Sequence, residues 1–225
     1  YSFGSYPPSS FGIYLNATMK GSDGGFTFQD LKLEGVTYAW KYDSQNNYWK
    51  ASAFAGGVNN PTESWLVSTE IDLSGATAPS LSFDAAINHL NGNNRADFIE
   101  AKISADYVDN VTTATWATLN ATWSEGKSWT FVNSGEIDLK DYVGKKVRLA
   151  FAYKSTSECA PTIEVKNVSV TEPKDGYYAD VYLYKEVPEN EVEAASAMMF
   201  ASTRAAAKYN TSAVYRYDAA SSTWK

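Results

Sequence analysis

The stretch KVRLAFAYK, residues 146–154, decides the fold class. Val147, Leu149, Phe151 and Tyr153 alternate with Arg148, Ala150 and Ala152. A repeat of two puts each set on its own face of an extended strand, and a wholly apolar set marks the face turned to a core. The stretch LSFDAAI, residues 81–87, repeats the pattern, with Leu81, Phe83, Ala85 and Ile87 on one face and Ser82, Asp84 and Ala86 on the other. In TIEVKNVSVTE, residues 162–172, the apolar parity slips at Asn167, from Ile163 and Val165 to Val168 and Val170. Such a slip marks a β-bulge or a strand end.

Outward from these three stretches, short strand-like runs recur from Ile13 onward. Turn-forming clusters divide them, among them GSDGG (21–25), SQNN (44–47), AGGVNNP (55–61), SGATAP (74–79) and NHLNGNN (88–94). That rhythm predicts an antiparallel sandwich or barrel and not alternating βα units. Aromatic residues make up 15% of the chain, with 16 Tyr and 7 Trp, and wide rings suit pleated faces. Residues 1–12 read as a linker, 13–171 as a β-sandwich, and 172–225 as a small α+β appendage that is itself an incomplete domain. The appendage comprises a strand-like YYADVYLYKEV (177–187), an Ala-rich run over 190–210 with Val192, Ala195, Met199 and Ala206 at helical spacing, and a closing hairpin, SAVYRYDAASSTWK (212–225).

A net charge of −7 argues against nucleic acid as a partner and against docking on an anionic membrane. Cys159 is the one cysteine, so no disulfide framework forms, which favours a bacterial source among extracytoplasmic sandwiches. No run has the length of a spanning helix. An export signal or lipid anchor is expected upstream of Tyr1.

The order of GVTYAWKYD (35–43), YWKASAF (48–54), ESWLVSTEIDLSG (63–75), APSLSFDAAIN (78–88), AKISADY (101–107) and TWATL (115–119) resembles the choice-of-anchor J family of bacterial surface proteins, a relative of cleaved-adhesin and MAM-like jelly rolls. SWTFVNSGEIDLKDYVGKKVRLAFAYKSTS (128–157) and IEVKNVSV (163–170) continue the likeness. The resemblance is strongest to surface lipoproteins of Bacteroides-type bacteria. It implies a galactose-binding-like jelly roll, mainly β, at the cell surface or secreted, and a candidate structural calcium. Asp30, Asp97 and Glu164 are its candidate ligands, because hard cations need clustered oxygens and terminal strands neighbour each other in this fold. Lys166 stands where the family carries an aspartate near the last strand.

The residue inventory speaks against catalysis. His89 is the one histidine, so neither a multi-histidine metal centre nor a four-cysteine zinc site can be built, and no G-x-S-x-G elbow is present. Asp97 and Glu100, three apart, face opposite ways on a strand, which leaves a glycoside hydrolase as the weaker alternative. Saccharides present apolar C–H faces to aromatic rings and hydroxyls to amides and charges. Two segments, 42–49 and 88–95, combine those groups and, with Trp123, give Tyr42, Asn46, Asn47, Tyr48, Asn91, Asn93 and Arg95 as candidate ligand residues. Trp40, Trp65, Trp116 and Trp129 fall in strand-like runs and are expected in the core. The sequence-level reading is a non-enzymatic surface binding or adhesion module for a glycan or a cell-surface protein, with no cofactor required. A structural spacer is the rival.

Overall fold

Two antiparallel sheets carry the alternating stretches in a computed structural model that describes residues 11–173 and two short strand pairs beyond them. The strands are β1 (Phe11–Ala17), β2 (Thr27–Leu33), β3 (Trp40–Asp43), β4 (Tyr48–Ala51), β5 (Phe54–Ala55), β6 (Val58–Asn59), β7 (Thr62–Val67), β8 (Ile71–Asp72), β9 (Ser80–Asn88), β10 (Ile99–Ser104), β11 (Ala117–Thr118), β12 (Val132–Asn133), β13 (Ile137–Asp138), β14 (Lys146–Ser155) and β15 (Thr162–Pro173). The first sheet runs β12–β9–β15–β4–β3, with β13 beside β9 and β1 beside β15. The second runs β11–β10–β14–β7–β2, with β8 beside β14. Along the chain, single strands and consecutive pairs such as β3–β4 and β10–β11 pass in turn from one sheet to the other, which is the jelly-roll arrangement. The strand that opens the sandwich lies against the strand that closes it, with Phe11 the register partner of Pro173.

The alternation read from residues 81–87 and 146–154 points its apolar set between the sheets. Leu81, Phe83, Ala85 and Ile87 on β9 and Val147, Leu149, Phe151 and Tyr153 on β14 are all buried. Phe83 and Phe151 meet edge to face across the layer, with ring centroids 5.0 Å apart. The polar tips of the buried rings are satisfied. The Tyr153 hydroxyl donates to the Pro161 carbonyl at 2.8 Å and accepts from the Ala53 amide at 2.9 Å. Trp40, as expected, is core, and its indole N–H donates to the Ser64 carbonyl at 3.2 Å.

The other face of β14 is covered too, which explains why it carries alanines. Ala150 and Ala152 leave room for Trp65 and Trp116, whose rings pack 5.4 Å apart in a second, smaller cluster with Val67, Val111 and Tyr107. The covering loop is tied down where the Val111 amide donates to Gln29 Oε1 at 2.9 Å and the Trp116 indole to the Val111 carbonyl at 2.9 Å. The parity slip at Asn167 is a bulge: the β9–β15 register shifts between Lys166 and Ser169, and Asn167 adopts φ 52°. Asparagine tolerates that left-handed backbone better than most residues.

A compact unit spans Ser10–Pro173. In the other unit, β16 (Val181–Tyr184) pairs antiparallel with β17 (Ser212–Tyr215), and β18 (Tyr217–Asp218) with β19 (Thr223–Trp224). Of the linker expected over residues 1–12, Phe11 and Gly12 belong to β1, while residues 1–10 and the helix expected over 190–210 lie outside the described residues.

Candidate functional site

Pairing in the first sheet assembles a polar and aromatic face turned away from the core. With Ile163, Val165, Phe83, Ala85 and Trp49 pointing inward, their neighbours Glu164, Lys166, Asp84, Ala86, Tyr48 and Lys50 must point outward. Register sets Glu164 between Lys50 on β4 and Ala86 on β9, and Lys166 beside Asp84. Asn133 on β12 faces Asp84 from the far side.

Three aromatic rings gather here. Tyr48 and Phe131 lie 6.0 Å apart, and the Lys166 ammonium sits 3.8 Å above the Phe131 ring. Trp129 is 48% exposed, far from the core position expected of it. Its ring packs edge-on against His89 at 5.6 Å, and the Lys50 ammonium lies 5.6 Å over it. The reason is local. Residues 124–134 run along the edge of β9, held where the Ile87 amide donates to Ser124 Oγ at 2.9 Å, the Leu90 amide to the Gly126 carbonyl at 3.2 Å, and the Ser134 amide to the Phe83 carbonyl at 2.8 Å. Trp129 rides on the turn between those ties and cannot reach the interior.

Gly126 has φ 78°, and a Cβ there would run into the Leu90 side chain. Gly126→Ala is therefore expected to cost about 1–3 kcal/mol through backbone strain and overpacking. A thermal melt measures it.

The acidic groups of this face are spoken for. Asp84 accepts from the Asn133 amide at 2.8 Å and from the Asn167 amide at 2.7 Å, so the bulge residue serves as a clamp. Glu164 is only 5% exposed. Burial holds its carboxyl above the ordinary glutamate range, although the Tyr48 hydroxyl and the ammonium groups of Lys50 and Lys166 act in the opposite sense. Burial and the neighbouring Glu164 push the Tyr48 phenol up to about 12. A carboxyl that keeps its proton longer folded than unfolded adds stability below the ordinary value of 4.5, and loses it as pH rises through the raised one. Glu164→Gln is expected to remove that dependence and to be the more stable protein at pH 8, as urea titrations across pH 4–8 would register.

Of the ligand residues expected from sequence, only Tyr48 belongs to this face. Tyr42 packs against Trp49 at 5.7 Å and donates its hydroxyl to the Met19 carbonyl at 2.8 Å, which makes it structural. Asn46 is used by its own turn, where its side-chain amide donates to Asp43 at 2.9 Å. Asn47, at φ 59°, accepts from the Gly21 amide at 3.3 Å. Asn93 donates to the Leu90 carbonyl at 2.8 Å, and Asn91 is an exposed turn residue at φ 52°. Trp123 lines the core against Phe83 at 5.2 Å, with the Arg95 guanidinium 4.9 Å over its ring and Arg95 Nη1 donating to the Ile99 carbonyl at 2.5 Å. The two loops also lie toward opposite ends of the sheet, because β4 begins at Tyr48 beside the middle of β15 whereas β9 ends beside its start.

The residues named for calcium do not fit the ion. Asp30 lies on β2 of the second sheet and accepts from Ser64 Oγ at 2.5 Å. Glu164 lies on the outer face of the first sheet, and Asp97 is in a short 3-10 turn, Arg95–Asp97. Among the described residues, no group of three or more His, Cys, Asp and Glu could hold a metal.

No family model and no curated protein matches the chain. Among solved structures, it is similar to the K3 cleaved adhesin domain of the lysine gingipain of Porphyromonas gingivalis W83, at 14% identity and a TM-score of 0.48 over 72% of this chain and 99% of that one. The K1 domain of the same protein aligns at 15% identity and a TM-score of 0.46, over 72% and 97% of the two chains. A carbohydrate-binding module solved with β-1,4-galactotriose aligns at 12% identity and 0.41, over 71% and 98%. At such identities and scores the likeness carries no argument of its own.

Proposed function

We infer that the outer face of the first sheet binds a saccharide, and that the sandwich is a non-enzymatic binding module of an extracytoplasmic bacterial protein of the surface-lipoprotein kind. The observation that carries this reading is the group of Tyr48, Phe131 and Trp129 on a sheet face otherwise lined by amides and charges. Rings supply flat apolar surface for a pyranose, and Asn133, Asn167, Lys50 and Lys166 supply polar atoms at its rim. Hydrolysis is the poorer account of the same face. Asp84 is clamped by two amides, Asp43 by the amides of its own turn, and Glu164 lies beneath the surface, so none is presented to a glycosidic oxygen. A spacer that binds nothing gives no reason to group three rings on one sheet face.

A glycan array of the purified protein tests the reading. Binding to a defined set of oligosaccharides, lost in both Tyr48→Ala and Trp129→Ala, is the expected result. Silence across the array, or binding indifferent to Trp129→Ala, would overturn it.

A further inference from the structure

We propose that the saccharide recognised on this face is anionic, bearing carboxylate or sulfate groups. The inference rests on the saccharide reading of the same face and adds the charge of the ligand. It starts from an asymmetry between buried and presented charge. The chain as a whole is acidic, at −7, yet this face carries three lysines, Lys41, Lys50 and Lys166. The carboxylates here are engaged or withdrawn: Asp84 has both oxygens on the amides of Asn133 and Asn167, Asp43, opposite Tyr48, accepts from the Gln45 amide and from the backbone and side-chain amides of Asn46, and Glu164 is 5% exposed. Lys50 and Lys166 are placed the other way, with their ammonium groups above the rings of Trp129 and Phe131. Lys41, opposite Lys50 in the β3–β4 register, adds a third cation to the same row.

Elsewhere six surface lysines answer carboxylates directly, while Lys145 donates to the Asp141 carbonyl and lies over the Tyr142 ring. Lys32, Lys102, Lys127, Lys140, Lys146 and Lys154 each sit within 3.4 Å of a carboxylate. Among the described residues, Lys50 and Lys166 form no such pair. Each instead rests on a ring, which favours a cation through the ring quadrupole and keeps the ammonium beside the aromatic group. A carboxylate or sulfate on that sugar completes the charge pair. A neutral sugar leaves both ammonium groups to water.

The test is calorimetric titration with three probes: oligogalacturonate, its carboxyl-reduced neutral counterpart, and a sulfated oligosaccharide. Wild-type protein is expected to bind at least one anionic probe about fivefold to tenfold more tightly than the neutral one, the size of one or two partly screened ion pairs. The preference should vanish near 1 M salt, where the screening length is about 3 Å. In the protein carrying both Lys50→Gln and Lys166→Gln, anionic and neutral probes should bind with equal affinity. Which anionic probe gains tells carboxylate from sulfate. Equal affinity for neutral and anionic probes, with Trp129→Ala still abolishing both, sinks the anionic inference and keeps the saccharide reading. Loss of all binding, or binding untouched by Trp129→Ala, sinks both.

Discussion

Replacing Phe151 by alanine is expected to destabilise the sandwich by about 3–5 kcal/mol, a large share of the total stability of a domain. Phe151 stands in the middle of β14, buried, with the Phe83 ring 5.0 Å away across the layer and Phe26 at 6.5 Å. Truncation removes the ring that joins one sheet to the other and leaves a cavity that rigid strands on both sides cannot close. Phe151→Leu, which refills most of the volume, should cost less than half as much. Chemical denaturation of the two variants separates a packing effect from a general intolerance of change at this position. Equal losses for leucine and alanine would refute the account.

The second large effect concerns binding. Trp129→Ala should weaken saccharide affinity by about thirtyfold or more, the loss of roughly 2 kcal/mol typical when a central aromatic is truncated. The melting temperature should barely move, because the indole is 48% exposed and its turn is held by backbone bonds on either side. Phe54, 58% exposed on β5, provides the control. Its replacement by alanine removes a comparable exposed ring away from the face and should leave affinity unchanged. Titration calorimetry on both variants, with melts alongside, distinguishes a site residue from a surface one.

The sandwich was legible in the sequence because its strands alternate cleanly where one face is buried. Residues 81–87 and 146–154 did so, and the bulge at Asn167 showed as a slip of parity. The binding face was far less legible. Sequence reasoning sought rings in turns rich in Asn and Gly, yet those turns spend their amides on their own backbones, as Asn46 and Asn93 show. The face is instead made by pairing residues far apart in the chain, β4 with β15 and β15 with β9, and no local pattern announces such partners. One signal was available. In WTFVN, residues 129–133, Trp129, Phe131 and Asn133 share a parity, and an amide in an aromatic row marks the side turned to water. Trp129 was misplaced because a tryptophan in a strand-like run is more often core, and because the hold of β9 on residues 124–134 is a long-range fact.

The pairing of Phe11 with Pro173 has a mechanical meaning. When a longer chain is pulled, force enters and leaves the sandwich at adjacent points on β1 and β15. Tension then opens that antiparallel pair one hydrogen bond at a time, like a zip, and does not shear the whole ladder at once. A longer protein strung with such a module gains almost no length from it until the first strand peels away. From that point the module lengthens under load, as a shock absorber does.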